Sequence, residues 1–146
     1  MADTPPFGIR FTHPYRPLVV DRAPTHDEVA RDDRVPIYRR AVELAARAHA
    51  VIERADTERY FLRDQLDRKA SLIPQLIAQG LALVEMPVRR TLFRDARLAL
   101  TDCITILDML VERGSAPRDV VDGARTLALG LVEELIALTV EPPRVW

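Results

Sequence analysis

The sequence predicts an all-α protein: an antiparallel up-down-up-down four-helix bundle behind an extended, proline-rich N-terminal arm. Three observations carry that expectation. The chain is 48% hydrophobic and 29% charged but only 5% aromatic, with 5 glycines in 146 residues, so strands and hairpin turns have little raw material. Its bulk is Ala, Leu, Val, Arg, Asp and Glu, a set that favours helices. Apolar residues then recur at three- and four-residue steps in long segments separated by short breaks, which is the pattern of a bundle. The length fits one domain with a proper core.

Residues 1–34 form the arm. Pro5, Pro6, Pro14, Pro17 and Pro24 are too many for a helix, whereas Phe7, Ile9, Phe11, Tyr15, Leu18, Val19 and Val20 are too apolar for a pure spacer. Such an arm lies on its own bundle or on a neighbouring subunit, or else it is a disordered tail. Thr25-His26-Asp27-Glu28 has the form of a capping box, and the helix it opens must be short because Pro36 follows.

Residues 35–140 supply the bundle. The first long helix runs from Val35 to Arg54, with Ile37, Ala41, Leu44, Ala48, Val51 and Ile52 on one stripe. Asp56-Thr57 breaks the chain and caps a second helix from Glu58 to Val84. Leu62, Leu66, Ile73, Leu76 and Ile77 are its apolar residues, and Pro74 sits inside it. An interior proline costs roughly 3 kcal/mol in an isolated helix, so packing on several sides must outweigh it, and this helix is expected at the centre of the bundle.

The third helix starts near Pro87 and ends at Arg113, where Gly114 can take the left-handed stop conformation. Leu92, Phe93, Ala96, Ala99, Leu100, Cys103, Ile104, Leu107, Leu110 and Val111 are its apolar set. Ser115 is expected to cap the fourth helix, with Pro117 in its first turn. Val120, Val121, Ala124, Leu127, Ala128, Leu131, Leu135 and Leu138 are its inward residues. Pro142 and Pro143 close it, and residues 141–146 form a tail holding the only tryptophan, Trp146. Leu98, Ile106, Leu129 and Ile136 lie off the main stripes, and such surplus apolar surface predicts a homo-oligomer.

Composition and motifs narrow the function by exclusion. Net charge is −1, too little for a global attraction to nucleic acid or membrane. The single cysteine, Cys103, rules out an intrachain disulfide or a cysteine-based zinc site. The N-terminus lacks a signal-peptide pattern and no apolar run reaches the ~18–20 residues of a membrane span, so a cytoplasmic protein is expected. His13, His26 and His49 are read as having no carboxylate or second histidine at ligand spacing, and no Glu-x-x-His pair is present. Asp102, Asp108, Glu133 and Glu134 are expected to be solvated or to pair between helices. With no phosphate loop and no nucleophile motif, neither an enzyme nor a cofactor is expected.

What remains is arginine, since Lys69 is the only lysine. Arg90, Arg94 and Arg97 follow i, i+4, i+7 on the third helix, with Arg89 beside them. Arg40 and Arg47 line the first helix, and Arg59 and Arg63 open the second. Residues 35–55 hold four basic and two acidic groups, and residues 115–146 hold three and five. These stripes are the candidate surface for phosphates or an acidic partner; a solvated face with i, i+4 pairing is the simpler reading.

From Gln65 to Gly80 the chain resembles the 23S ribosomal RNA intervening-sequence proteins. Their second-helix signature is close to Q-L-x-R-A-A-x-S-I-P-x-N-I-A-E-G. Gln65, Leu66, Arg68, Ile73, Pro74, Ile77, Ala78 and Gly80 follow it, while Leu76 and Gln79 stand in place of Asn and Glu. The third helix is similar to the family's F-x-x-x-A-x-x-S-x-x-E segment, with Phe93, Ala96 or Arg97, Ala99 and Asp102 in that region. The resemblance spans about residues 36–139 and excludes the arm. It implies a divergent, non-enzymatic bundle that assembles into a ring, typically a pentamer. A related family, the accessory variability determinants of diversity-generating retroelements, implies RNA and a reverse transcriptase as partners. The expected role is therefore a ring-forming adaptor for RNA or protein, the alternative being a structural scaffold that docks through its arm and binds no nucleic acid.

Overall fold

The computed structural model describes residues 36–57, 60–83 and 85–139. The arm, the capping box at Thr25–Glu28, His13, His26, Arg59, Val84 and the tail with Trp146 lie outside the described residues. Four helices make up the rest: α1 (Pro36–Arg54), α2 (Tyr60–Ala82), α3 (Met86–Glu112) and α4 (Arg118–Thr139). No strand occurs among the described residues. Each helix packs on two others, α1 on α2 and α4, and α3 on α2 and α4.

This pattern corrects one expectation. α2 is not central: it is flanked by α1 and α3 and does not meet α4. Pro74 is only half-buried, while Ala70, Ile73, Ile77 and Ala78 around it are buried. The apolar neighbours on the core side, rather than enclosure on all sides, hold the proline-bearing helix together.

The core follows the predicted stripes closely. Ile37, Ala41, Leu44, Ala48 and Val51 of α1 are buried, as are Leu62, Leu66, Ile73 and Ile77 of α2. Phe93, Ala96, Leu100, Cys103, Leu107 and Leu110 face them from α3, and Val121, Ala124, Ala128, Leu131 and Leu135 from α4. The differences sit at the stripe edges. Ile106 is 7% exposed and belongs to the core, whereas Leu138 is 43% exposed and does not. Ile52, Leu76, Leu92, Ile104, Val111, Val120 and Leu127 are half-buried.

The connections are built from backbone bonds. Gly114 has φ +67°, and the Gly114 N–H bonds the Val111 carbonyl while the Ser115 N–H bonds that of Leu110. This double closure satisfies carbonyls that the end of α3 would otherwise leave open. Ser115 is not a cap for α4. It is buried, its carbonyl accepts the Asp56 N–H at 2.7 Å, and α4 instead opens on the Pro117 carbonyl, which accepts from Val121. The α1–α2 connection is thereby fastened to the α3–α4 connection. α3 begins one residue before Pro87, with Glu85 in extended conformation ahead of it and proline in the first turn.

Glycine has a packing role at one point of the α2–α3 contact. A Cβ on Gly80 would stand 2.5 Å from Cε1 and 2.9 Å from Cδ1 of Phe93, a ring that is itself buried. The absent side chain lets the ring lie directly on the α2 backbone.

Candidate arginine surface

The structure divides the predicted arginines into those held by the fold and those left on the surface. Arg89 is held. Its Nε donates to the Gly80 carbonyl at 2.8 Å and its Nη2 to that of Leu81 at 3.0 Å, so its guanidinium closes the C-terminal end of α2. Cationic groups suit that end of a helix dipole. Partial burial lowers the guanidinium pKa. Arg89→Met should therefore lower unfolding stability by about 1–2 kcal/mol, by loss of charge-assisted bonds to two carbonyls. Urea denaturation measures this; an unchanged midpoint would contradict the capping role.

Arg63 is held in a similar way, its Nε donating to the Ile52 carbonyl at 3.2 Å near the end of α1. Arg40 reaches from α1 to α4, where Nε donates to Glu134 Oε1 at 2.7 Å and Nη2 to Oε2. Both side chains are over a third exposed, so the pair contributes only about 0–1 kcal/mol and acts chiefly as a register mark. Arg47 pairs with Glu43 one turn away at 2.9 Å and lies against Gly123 of α4.

The α3 stripe differs. Arg94 is exposed and Arg97 half-buried, and no ion pair or hydrogen bond among the described residues engages the guanidinium of either one. Arg90, half-buried, shares their face and has a polar interaction of its own. On the same helix Leu98 is 57% exposed. Thr91, Thr101 and Thr105 turn their hydroxyls back to the carbonyls of Pro87, Arg97 and Thr101, leaving their methyl groups as the outward part. The outer side of α3 thus combines cations with small apolar groups.

Three of the four carboxylates pair between helices, and Glu133 is exposed. Asp102 bonds Lys69 of α2 at 3.0 Å, Glu134 bonds Arg40, and Asp108 accepts from Arg125 Nε at 2.7 Å. The hydrogen bond to Asp108, and then its charge, raise the Arg125 pKa. Among the described residues no group of three or more His, Cys, Asp or Glu could hold a metal ion. The expectation for histidine is corrected at one position: His49 Nε2 meets Glu53 Oε1 at 2.7 Å, because an i, i+4 step brings them together on an exposed face. Cys103 is buried, and its thiol pKa is pushed up to about 12 by burial and then by Asp102, with Lys69 opposing. At neutral pH it is a small apolar side chain.

The motif residues from Gln65 onward occupy varied positions. Leu66, Ile73 and Ile77 are core, Gln65 and Pro74 are half-buried, and Gly80 receives Phe93. Arg68 is exposed and pairs with Asp64 at 3.1 Å. Sequence reasoning missed a charged groove between α3 and α4. It encloses about 430 Å³ and is lined by Asp108, Val111, Glu112, Arg118, Val121, Asp122 and Arg125. Its residues come from the end of α3 and the start of α4, and the Arg125–Asp108 bridge spans it. Among the described residues, no helix is long and apolar enough to cross a membrane. No family model matches the chain, and no curated protein matches it.

Proposed function

We propose that the protein is a non-enzymatic, homo-oligomeric helical-bundle adaptor of the cytoplasm that presents the α3 arginine face to RNA. The observation that carries this reading is the contrast between Arg94 and Arg97, whose guanidinium groups no described residue engages, and Arg40, Arg47, Arg63 and Arg89, which the fold uses itself. The resemblance of residues 65–80 to the 23S ribosomal RNA intervening-sequence proteins supports it, as does the extension to ring assembly, with five subunits the copy number implied. A ring would repeat the α3 face around one rim and so gather positive charge that a single chain lacks. A reverse transcriptase is the protein partner that the related retroelement family suggests.

The bundle belongs to this reading as an up-down-up-down, antiparallel one. Arg40 near the start of α1 pairs with Glu134 near the end of α4. The α1–α2 connection bonds the α3–α4 connection, and the last turn of α2 receives Arg89 from the first turn of α3. All three contacts fit alternating directions.

Light scattering with absorbance at nucleic-acid and protein wavelengths tests the assembly. The expected result is a mass near five subunits with nucleic-acid absorbance that nuclease removes; a clean monomer would sink it. Replacing Arg90, Arg94 and Arg97 together by alanine should weaken RNA binding. It should also flatten the plot of log affinity against log salt by about 2 for single-stranded RNA, roughly 0.7 per phosphate contact. Unchanged binding would remove the stripe from the site.

A second reading, a scaffold without nucleic-acid binding, draws on the apolar residues Leu98, Leu129 and Ile136, each 40% or more exposed. A ring free of nucleic acid would favour it.

A further inference from the structure

We infer that the outer face of α3 is self-complementary and pairs antiparallel with α3 of a second copy of this chain, Arg94 of each meeting Glu112 of the other. Arg94, Leu98, Thr101, Thr105, Asp108 and Glu112 follow steps of 4-3-4-3-4, the spacing of one seam along a helix. All are exposed except Asp108, which is half-buried. Leu98 is 57% exposed, and the hydroxyls of Thr101 and Thr105 turn back to their own helix. The middle of the seam therefore offers a leucine and two methyl groups, small enough for a second helix to approach closely. The ends are of opposite sign. Arg94 stands at one and Glu112 at the other, and no ion pair or hydrogen bond among the described residues engages either side chain.

Charge complementarity selects both the occupant and its direction. A two-fold axis level with Cys103 sets Arg94 opposite Glu112 and Thr101 opposite Thr105, and each contact occurs twice. Leu98 then lies beside half-buried Met109 of the second copy and beside its Asp108, whose carboxylate is turned to Arg125 of its own chain. A parallel pair would instead set Arg94 against Arg94 and Glu112 against Glu112, which like charges oppose. The flanking charges agree with the antiparallel arrangement or are already balanced. Arg97 comes level with Asp108 of the second copy, and Asp95 with its Arg113. Asp102 lies near its counterpart at the axis, where each is held by Lys69 of its own chain at 3.0 Å. Arg90, beyond the end of the seam, has an interaction of its own. Beside Glu112, Asp108, Asp122, Arg118 and Arg125 line one groove and balance one another, which leaves Glu112 as its net charge. The inference goes beyond the adaptor reading: pairing covers Arg94, so a second copy and RNA exclude each other on this face. A single helix pair is small for a stable interface, so the association is expected to depend on protein concentration.

Disulfide cross-linking and charge reversal in the full chain, freed of nucleic acid by nuclease, test the pairing. Cys103 is buried and stays silent, so chains carrying Thr101→Cys or Thr105→Cys can be oxidised with diamide, each alone and the two mixed. In the antiparallel pair positions 101 and 105 are level, whereas two copies of position 101 are offset along the axis by about 6 Å. Disulfides form only over a narrow range of separations, so the mixture should link the two variants at least about fivefold faster than either links to itself. Equal rates would overturn the pairing, as would position 101 linking to itself faster than to 105. Arg94→Glu and Glu112→Arg each replace two attractions by two repulsions, and each should weaken the association at least about tenfold in a sedimentation series over protein concentration. The double reversal should restore it. Association unchanged by either single reversal, or not restored by the double one, would overturn the Arg94–Glu112 contact. None of these readouts depends on RNA binding, so this assignment and the adaptor reading can fail separately.

Discussion

Phe93→Ala is expected to lower the unfolding free energy by about 3–5 kcal/mol, the range for emptying a large buried aromatic site. The ring is 2% exposed, so almost all of its surface is lost to the core. One wall of its site is the bare backbone at Gly80, which cannot relax into the space as a flexible side chain might. The complementary change, Gly80→Ala, should also destabilise. An added Cβ at 2.5 Å from the ring forces Phe93 off its rotamer, typically at about 1–3 kcal/mol, against about 1 kcal/mol gained from the better helix former. Combining Gly80→Ala with Phe93→Leu should recover part of the loss, because the smaller side chain makes room for the methyl group. Urea unfolding of the four proteins gives the coupling directly. Strict additivity would mean that the two residues do not restrain each other and that the glycine serves something else.

The second large effect has the opposite sign. Pro74→Ala is expected to stabilise the protein by about 1–3 kcal/mol. Proline has no N–H for the carbonyl of Ala70 four residues earlier, and alanine restores that donor within a 23-residue helix. Pro74 is half-buried, so alanine gives up some packing, which is why the lower end of the range is included. A rise in the denaturation midpoint with an unchanged slope is the predicted signature. A loss of stability would mean that the packing of the proline ring itself helps to seat Ile73 and Ile77 in the core. The test matters for function too, since Pro74 lies in the segment that carries the family resemblance.

Helices and their main stripes were legible because they depend on short-range periodicity. Leu44, Leu66, Leu107 and Leu131 are each flanked at three- or four-residue steps by other apolar residues, and all four are buried. Gly114 was legible for a related reason, since a left-handed residue is a local need that glycine meets at little cost. Stripe edges were not. Leu98 and Ile106 are equally off-stripe in sequence, yet one is exposed and the other buried. Which flank of α3 is covered depends on where its neighbours stand, and that is a property of the whole bundle.

The arginine surface was legible only as a set of positions. Arg47 and Glu43 could be matched by counting, being one turn apart. The pairing of Arg40 with Glu134, 94 residues away, and the use of Arg89 on the Gly80 carbonyl have no local signature. Eight candidates therefore entered from sequence. Four of them prove to be occupied by the fold, Arg59 lies outside the described residues, Arg90 has an interaction of its own, and Arg94 and Arg97 remain.

The contact between α1 and α4 has a kinetic consequence. Every other helix contact joins consecutive helices, brought together by a connection of a few residues. The α1–α4 contact instead closes a loop of nearly the whole described chain, and the entropy lost in closing a loop grows with its length. It is the most non-local step of folding, so it should form last, after α2, α3 and α4 have condensed as a three-helix intermediate stage of the barrier crossing. By the same reasoning α1 is the helix that detaches first when the native protein opens locally, exposing Leu44, Ala48 and Leu131 to amide exchange and proteases before the α2–α3 pair yields.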